Sequence, residues 1–168
     1  MVVVVGLIGV LLVVAISSFG VYKKRAKKAR SIKHLQAIHT GFTSAITDIG
    51  EWPQMPEEDE AGDPISWPES KYAKWWIDTM TPYGLDEGIW VHADDFKELA
   101  QRRKQQEGQS VGGSGDDVGI YHLSFVPTKF GPGRATPFRW KHPWAMERGG
   151  DQLMVMPDGS VKPFTKAF

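Results

Sequence analysis

Residues 2–49 consist of VVVVGLIGVLLVVAISSFGVYKKRAKKARSIKHLQAIHTGFTSAITDI, a stretch without proline. Its first twenty residues, Val2–Val21, carry no charge. At about 1.5 Å per residue they span about 30 Å, the thickness of the hydrocarbon core of a bilayer. Further along, apolar residues recur at the three- and four-residue spacings of a helix, at Ala26, Ala29, Ile32, Leu35, Ile38, Phe42, Ala45, Ile46 and Ile49. The stretch therefore predicts one continuous helix with a transmembrane half (residues 1–21) and a basic amphipathic half (residues 22–49), ended by Gly50.

The charges of the chain are divided between two regions. Seven of the 20 basic residues precede the first acid, Asp48, and the other 13 follow it, as do the remaining acids. The net charge of zero is therefore the sum of a +7 region and a −7 region. Six cations form a basic juxtamembrane cluster, at Lys23, Lys24, Arg25, Lys27, Lys28 and Arg30. Because they adjoin the apolar stretch and no nucleic-acid-binding module follows, we expect a lipid bilayer as their partner and no nucleic acid.

Three interpretations compete for the apolar start of the chain. A cleaved signal peptide would have a basic start and a shorter apolar run, although Ala15–Ser17 offers small residues for a cut. A single-pass anchor explains the hydropathy alone. A filament-forming helix additionally explains why the helical pattern continues past the membrane to Ile49. Gly6, Gly9 and Gly20 would then allow neighbouring helices to approach closely.

Residues 50–168 are predicted to form one globular domain of mixed helix and strand. Residues 50–70 are rich in proline and acid and indicate a loop. Two short helices follow, one beginning at a Ser70 cap and ended by Pro82 and Gly84, the other covering Asp94–Gln105. Strand-like patterns cover 120–125, 153–156 and 161–164. The turn between the last two contains Asp158 and Gly159, a strong hairpin signal, so the class is α+β with an antiparallel sheet.

The two ends of the chain resemble a known family. The segment MVVVVGLIGVLLVVAISSFGVYKKRAKKAR is similar to the N-terminal helix of type IV pilins and of the pseudopilins of type II secretion systems. Gly9, Ala15, Ile16 and Phe19 fall where that pattern has a central glycine, small apolar residues and an aromatic. The closing GGDQLMVMPDGSVKPF resembles the C-terminal hairpin of pseudopilin-like proteins of planctomycete and verrucomicrobial type. The resemblance implies a ladle-shaped fold, in which the long helix lies against the small sheet.

That resemblance also implies a function. The chain would be a structural subunit of a type II secretion or type IV pilus-like filament, not an enzyme. It would sit in the bacterial inner membrane as a single-pass protein with its domain on the periplasmic side, and its partners would be other pilin-like subunits and the assembly machinery. The positive-inside rule, applied to KKRAKKAR, would instead place the domain in the cytoplasm.

One feature of the family is missing from the sequence as it stands. Family members have a basic leader ending in glycine and then an apolar start with a glutamate, and neither precedes Val2. Two explanations remain open: a true start further upstream, or loss of the processing signal. The runner-up function is a monomeric, membrane-anchored binding domain outside the cytoplasm, which would use exposed aromatics such as Trp67 or Trp144.

Motifs with possible chemistry are weak. Cysteine is absent, which excludes disulfides and thiolate sites. The G-x-S-x-G match at Gly108–Gly112 lacks the preceding strand of a nucleophile elbow, which disfavours a membrane-tethered hydrolase. The acids after His92 are better explained as helix-capping residues than as metal ligands. His34 and His39 are five residues apart and lack the spacing of a helical zinc pair.

Calcium is the one cofactor that the resemblance leaves open. Major pseudopilins often carry this ion in a loop near the C-terminal sheet, and acids lie in that part of the chain, at Asp116, Asp117, Asp151 and Asp158. Their spacing assigns no ligand set. The acidic run in residues 57–63 does not match the alternating ligands of an EF-hand loop and is expected to be a solvated loop.

Overall fold

The computed structural model describes residues 2–58, 65–107, 120–130 and 140–164, although the side chains of residues 2–18, 93, 106 and 107 are not among those described. The helices are α1 (Val2–Ile49), α2 (Glu69–Met80), α3 (Glu87–Trp90) and α4 (Ala93–Glu107), with a 3₁₀ turn at Thr81–Tyr83. The strands are β1 (Phe125–Pro127), β2 (Ala145–Glu147), β3 (Leu153–Val155) and β4 (Val161–Pro163). They form an antiparallel sheet in the order β1-β2-β3-β4. The α+β class predicted from sequence is confirmed.

The long helix ends where the sequence predicts. Gly50 has a φ of +84°, and its N–H donates to the carbonyl oxygen of Ile46 at 2.9 Å. This left-handed residue satisfies a terminal carbonyl of the helix, a common way of ending one. Glycine adopts the conformation without the steric penalty that a Cβ would bring.

The apolar stripe of α1 forms one wall of the core, but it is shorter than predicted. Leu35, Ile38, Phe42 and Ala45 have no exposed surface, and α1 packs on α3 and on strands β2 and β3. Residues 19–30, by contrast, are exposed at every position, including the predicted stripe members in that range. The periodicity of three and four therefore marks buried positions only where the domain lies beside the helix.

Aromatic rings fill the space between α1 and the rest of the domain. The ring of Phe42 stacks on that of Trp52 with centroids 4.4 Å apart, and it meets Trp76 and Trp90 edge to face. Trp144 is only 2% exposed and stacks on the His39 ring with centroids 4.9 Å apart. The expectation that Trp144 is an exposed binding aromatic is therefore wrong, because the core uses its bulk.

The local elements agree with the sequence to different degrees. Strands β3 and β4 and helix α4 lie where they were predicted, and Gly84, at a φ of +81°, follows the 3₁₀ turn after α2. Ser70 does not cap α2. Pro68 precedes the helix, and the Ser70 hydroxyl accepts a hydrogen bond from the Tyr121 N–H at 2.9 Å. Strand β1 begins at Phe125, later than the alternation over 120–125 suggests, and neither α3 nor β2 was predicted.

Within the part of the chain whose side chains are described, no helix is apolar over a length sufficient to cross a bilayer. The predicted transmembrane half, residues 1–21, lies almost entirely outside that part. So do four of the residues predicted to mediate helix assembly, namely Gly6, Gly9, Ala15 and Ile16.

Candidate functional site

The region where α1 leaves the domain combines unpaired charge, a groove and a buried polar cluster. We call residues 19–30 the exposed stem and the rest of the described chain after it the head. Phe19 is 71% exposed and Tyr22 66% exposed, although both are large and apolar. Exposed aromatics that directly follow an apolar stretch are typical of a membrane–water boundary. Phe19 is the one predicted assembly residue whose side chain is described.

All six predicted juxtamembrane cations are exposed on this stem. At 3.6 residues per turn, Lys23, Lys27 and Arg30 fall within about 60° of one another on one face, whereas Arg25 and Lys28 lie on the opposite side. Lys27 forms an ion pair with Asp94 at 3.5 Å between side chains that are 54% and 74% exposed. Neither Lys23 nor Arg30 pairs with a carboxylate anywhere in the described chain.

The face with Lys23, Lys27 and Arg30 borders a groove of about 330 Å³ between α1 and the start of α4. We call it the basic groove. Phe19 lies at its outer end, and His92 and Asp94 lie on its opposite wall. Asp94 is its one carboxylate among the described lining residues, so the groove has an excess of positive charge.

Beneath the groove, a buried carboxylate joins the long helix to the sheet. The Glu147 side chain, on β2, is 1% exposed. Its Oε1 accepts a hydrogen bond from the Ser31 hydroxyl at 2.6 Å, and its Oε2 accepts one from the Leu153 N–H at 3.2 Å. A buried charge is tolerated when such donors surround it. We call Ser31, Glu147 and His92 the latch, because it connects α1, β2 and the residue before α4.

His92 is the third member of the latch. Its Nε2 lies 3.1 Å from Glu147 Oε1 without the alignment of a hydrogen bond. Burial lowers the pKa of His92, and this effect outweighs the raising effect of the Glu147 and Asp95 charges; Lys27 and His34 lower it further. The imidazole is therefore held in its neutral form, with the groove on one side and the ring of Phe125 on another, centroids 4.7 Å apart.

The latch does not form a nucleophilic relay. In a serine hydrolase the histidine lies between the serine and the acid. Here Ser31 and His92 both approach the same oxygen of Glu147, and Ser31 is 2% exposed. The arrangement orients α1 on the head and offers no activated hydroxyl. Ser110 of the G-x-S-x-G match lies outside the described residues.

The two histidines of α1 also anchor the helix. His34 Nδ1 lies 2.8 Å from the carbonyl oxygen of Ile89, and His39 Nε2 lies 2.8 Å from that of Pro157. Because a carbonyl can only accept, these nitrogens are the protonated ones. The two rings thus attach α1 to α3 and to the hairpin turn.

The hairpin turn itself is as predicted. The Oδ1 atom of Asp158 accepts hydrogen bonds from the Ser160 N–H at 2.9 Å and from its hydroxyl at 2.6 Å, which lowers the pKa of Asp158. Gly159 follows with a φ of +77°. A Cβ at Gly159 would lie 3.3 Å from the His39 ring, so the turn packs closely on α1.

Among the described residues, no group of three or more histidine, aspartate and glutamate side chains could hold a metal ion. Asp151 is exposed and Asp158 is committed to its turn, whereas Asp116 and Asp117 lie outside the described residues. Calcium binding therefore remains a prediction from the resemblance.

A second groove, of about 380 Å³, lies between α2 and α4. Its charges are largely paired within the head. Glu69 pairs with Arg148 and His122, and Glu98 pairs with Arg102. It therefore offers less unpaired charge to a ligand than the basic groove does.

Comparison of the chain with protein-family models, with characterised proteins and with solved structures finds no match.

Proposed function

We propose that this protein is a pseudopilin-like structural subunit of a type II secretion or type IV pilus-like filament, held in the bacterial inner membrane until it assembles. On this proposal the head lies on the periplasmic side, and α1 is both the membrane anchor and the filament stem. The partners are further pilin-like subunits and the assembly machinery, and no catalysis is involved.

The proposal rests on the different burial of the two parts of α1. The helix has 48 residues, about 70 Å at 1.5 Å per residue. Its second half supplies Leu35, Ile38 and Phe42 to the core of the head, and its stem contributes no buried side chain. A monomeric anchored domain needs no helix that continues rigidly from membrane to core. A filament subunit does, because the stem must hold a fixed position relative to the head while it packs on neighbouring stems.

The latch and the histidine anchors support the same proposal. Ser31, His34 and His39 each bond to a different part of the head, so the helix cannot roll or slide on it without breaking these three contacts. Of the two aromatics named for the alternative of a monomeric binding domain, Trp144 is buried and not available, whereas Trp67 is half-exposed.

Engineered cysteines test the proposal directly, since the chain contains none of its own. Tyr22→Cys is combined in turn with Lys28→Cys, Ala29→Cys or Arg30→Cys in the full chain, expressed in the cell that produces it. These paired positions are at least about 9 Å apart along one helix, too far for a disulfide within a chain. If the stems pack side by side, we expect at least one pair to give a ladder of cross-linked dimers, trimers and higher species after mild oxidation.

Two controls make the ladder specific. Each single variant should stop at dimers, and co-expression with an excess of the cysteine-free chain should shorten the ladder. Monomers alone in all three paired variants would contradict the filament and favour the membrane-anchored binding domain.

A further inference from the structure

We propose that the basic groove binds the phosphate-bearing headgroup of an anionic phospholipid, so that the protein engages specific lipids at the membrane surface. The inference rests on the proposed function, because it needs the apolar start of α1 to lie in a bilayer. It goes beyond the general attraction of a basic cluster, since it assigns the headgroup to one face of the stem.

Charge is the first argument. Lys23 and Arg30 border the groove and have no carboxylate partner among the described residues, and the pair of Lys27 with Asp94 is long and exposed. An exposed ion pair of this kind contributes little and is readily exchanged for another anion. A phosphate oxygen accepts hydrogen bonds from guanidinium and ammonium groups, and arginine can bind it with two parallel bonds.

Position is the second argument. Phe19 lines the groove and lies in the last turn of the uncharged stretch Val2–Val21, and the cations of the groove follow within about three turns. Phe19 and Tyr22 are exposed aromatics at the level where such rings sit between acyl chains and headgroups. A lipid lying along this face would place its acyl chains beside Phe19 and its phosphate beside Lys23 and Arg30.

The shape of the groove is the third argument. A volume of about 330 Å³ accommodates a headgroup, and its far wall carries His92, whose ring is neutral and largely buried. An anion in the groove would favour the protonated form of that imidazole. His92 therefore acts as a built-in reporter of occupancy.

The test uses the full chain in bilayer discs of phosphatidylcholine with increasing fractions of phosphatidylglycerol. NMR of labelled histidine follows the protonation of His92. We expect phosphatidylglycerol to raise the pH at which His92 protonates, with saturation at a modest fraction of anionic lipid. Lys23→Gln/Arg30→Gln should increase the fraction needed for half-saturation by about tenfold or more, because it removes the charge-assisted hydrogen bonds to the phosphate.

The matched control is Arg25→Gln/Lys28→Gln, which removes the same charge, one arginine and one lysine, from the opposite face of the stem. It should shift half-saturation by no more than about twofold. An equal increase of the half-saturating lipid fraction in the two double variants would overturn the proposal, because it would show diffuse attraction of the stem to the membrane surface. A shift of His92 in pure phosphatidylcholine on addition of millimolar glycerol phosphate would also overturn it, since a soluble phosphate would then be the ligand.

Three further outcomes are decisive. A His92 shift that follows the number of protein copies per disc, rather than the lipid, would assign the groove to a second copy of the chain and overturn the lipid proposal. Loss of the cysteine ladder with the lipid response intact would reject the filament alone. A ladder without any lipid response would reject the groove alone.

Discussion

At the scale of single residues, His92 shows how burial sets the charge of the latch. Its side chain is 12% exposed, and its pKa is lowered because burial disfavours the cation. The charged groups around it come from three directions. Glu147 on β2 and Asp95 on α4 favour the cation, whereas Lys27 and His34 on α1 oppose it. The pKa of His92 is thus lowered because burial of the ring has a larger effect than the two nearby carboxylates.

This balance predicts a pH dependence of folding. The unfolded chain protonates His92 near its ordinary pKa of about 6.5, and the folded chain does so at lower pH. The contribution of His92 is therefore fully present above about pH 6.5 and is lost as the pH falls through the pKa of the folded state. Chemical unfolding of the detergent-solubilised chain at pH 7.5, 6.5 and 5.5 should show a declining free energy of unfolding.

Substitution of single histidines shows whether His92 causes that decline in the free energy of unfolding. His92→Gln should flatten the dependence between pH 7.5 and 5.5, because the titrating group is gone. His122→Gln, at a site on the head where the histidine contacts Glu69, should leave the decline in place. An unchanged slope in His92→Gln would show that other groups cause it.

At the scale of secondary-structure elements, the latch determines how α1 sits on the sheet. Ser31 and Glu147 are 116 positions apart in sequence, and their 2.6 Å hydrogen bond joins the first buried turn of α1 to β2. The same carboxylate accepts from the Leu153 N–H and so also fixes the start of β3. One side chain therefore sets the relation of three elements.

Removing either partner should destabilise the head. Glu147→Ala leaves the Ser31 hydroxyl and the Leu153 N–H without their acceptor, and we expect a loss of roughly 3 kcal/mol in the free energy of unfolding. Ser31→Ala should cost roughly 2 kcal/mol, because the buried carboxylate loses a donor. Denaturant unfolding of the two single variants and the double variant measures the coupling between them.

Glu98→Ala is the matched control for the latch. Glu98 pairs only with Arg102 among the described residues, and the two side chains are 62% and 60% exposed. Such a surface pair contributes between about 0 and 1 kcal/mol. Additive effects of Ser31→Ala and Glu147→Ala would contradict the view that the two residues act as one unit.

The elements also show which features a sequence can predict. The hairpin of β3 and β4 follows from a local signal, since Asp158 and Gly159 specify the turn whatever surrounds it. Helix α4 likewise has its acids and bases arranged along its own axis. Strand β2 and helix α3 were missed because they contain three and four residues, too few to show a period.

The latch was missed for a related reason. Nothing local distinguishes Glu147 from a surface acid, because its burial depends on Ser31 and on Leu153. Its alternation with the buried Ala145 along β2 becomes visible only once the strand is known. The sequence predicted the cations of the basic groove. It did not predict that His92 and Asp94, more than 60 residues further along the chain, form the facing wall of that groove.

At the scale of the whole molecule, the described chain has a head that includes the second half of α1 and a stem that adds no buried side chain to it. The core residues Leu35, Ile38 and Phe42 have no exposed surface, whereas every described position from Phe19 to Arg30 is exposed. A core that begins at Ser31 should therefore fold without the preceding helix. The boundary lies at Ser31, ten residues beyond the end of the predicted transmembrane half, residues 1–21.

Two truncations test this division. A chain beginning at Lys27 retains the latch, the apolar stripe and the Lys27–Asp94 pair. We expect it to unfold cooperatively, with a free energy of unfolding within about 1 kcal/mol of the full chain in detergent, since exposed side chains contribute little. A chain beginning at Thr47 lacks three large core side chains worth roughly 2–5 kcal/mol each, which together match the entire stability of an ordinary domain. It should be unfolded by circular dichroism and by loss of the native tryptophan fluorescence. Unfolding of the chain that begins at Lys27 would mean that the residues before it stabilise the head, and the stem would then be a structural part of the domain.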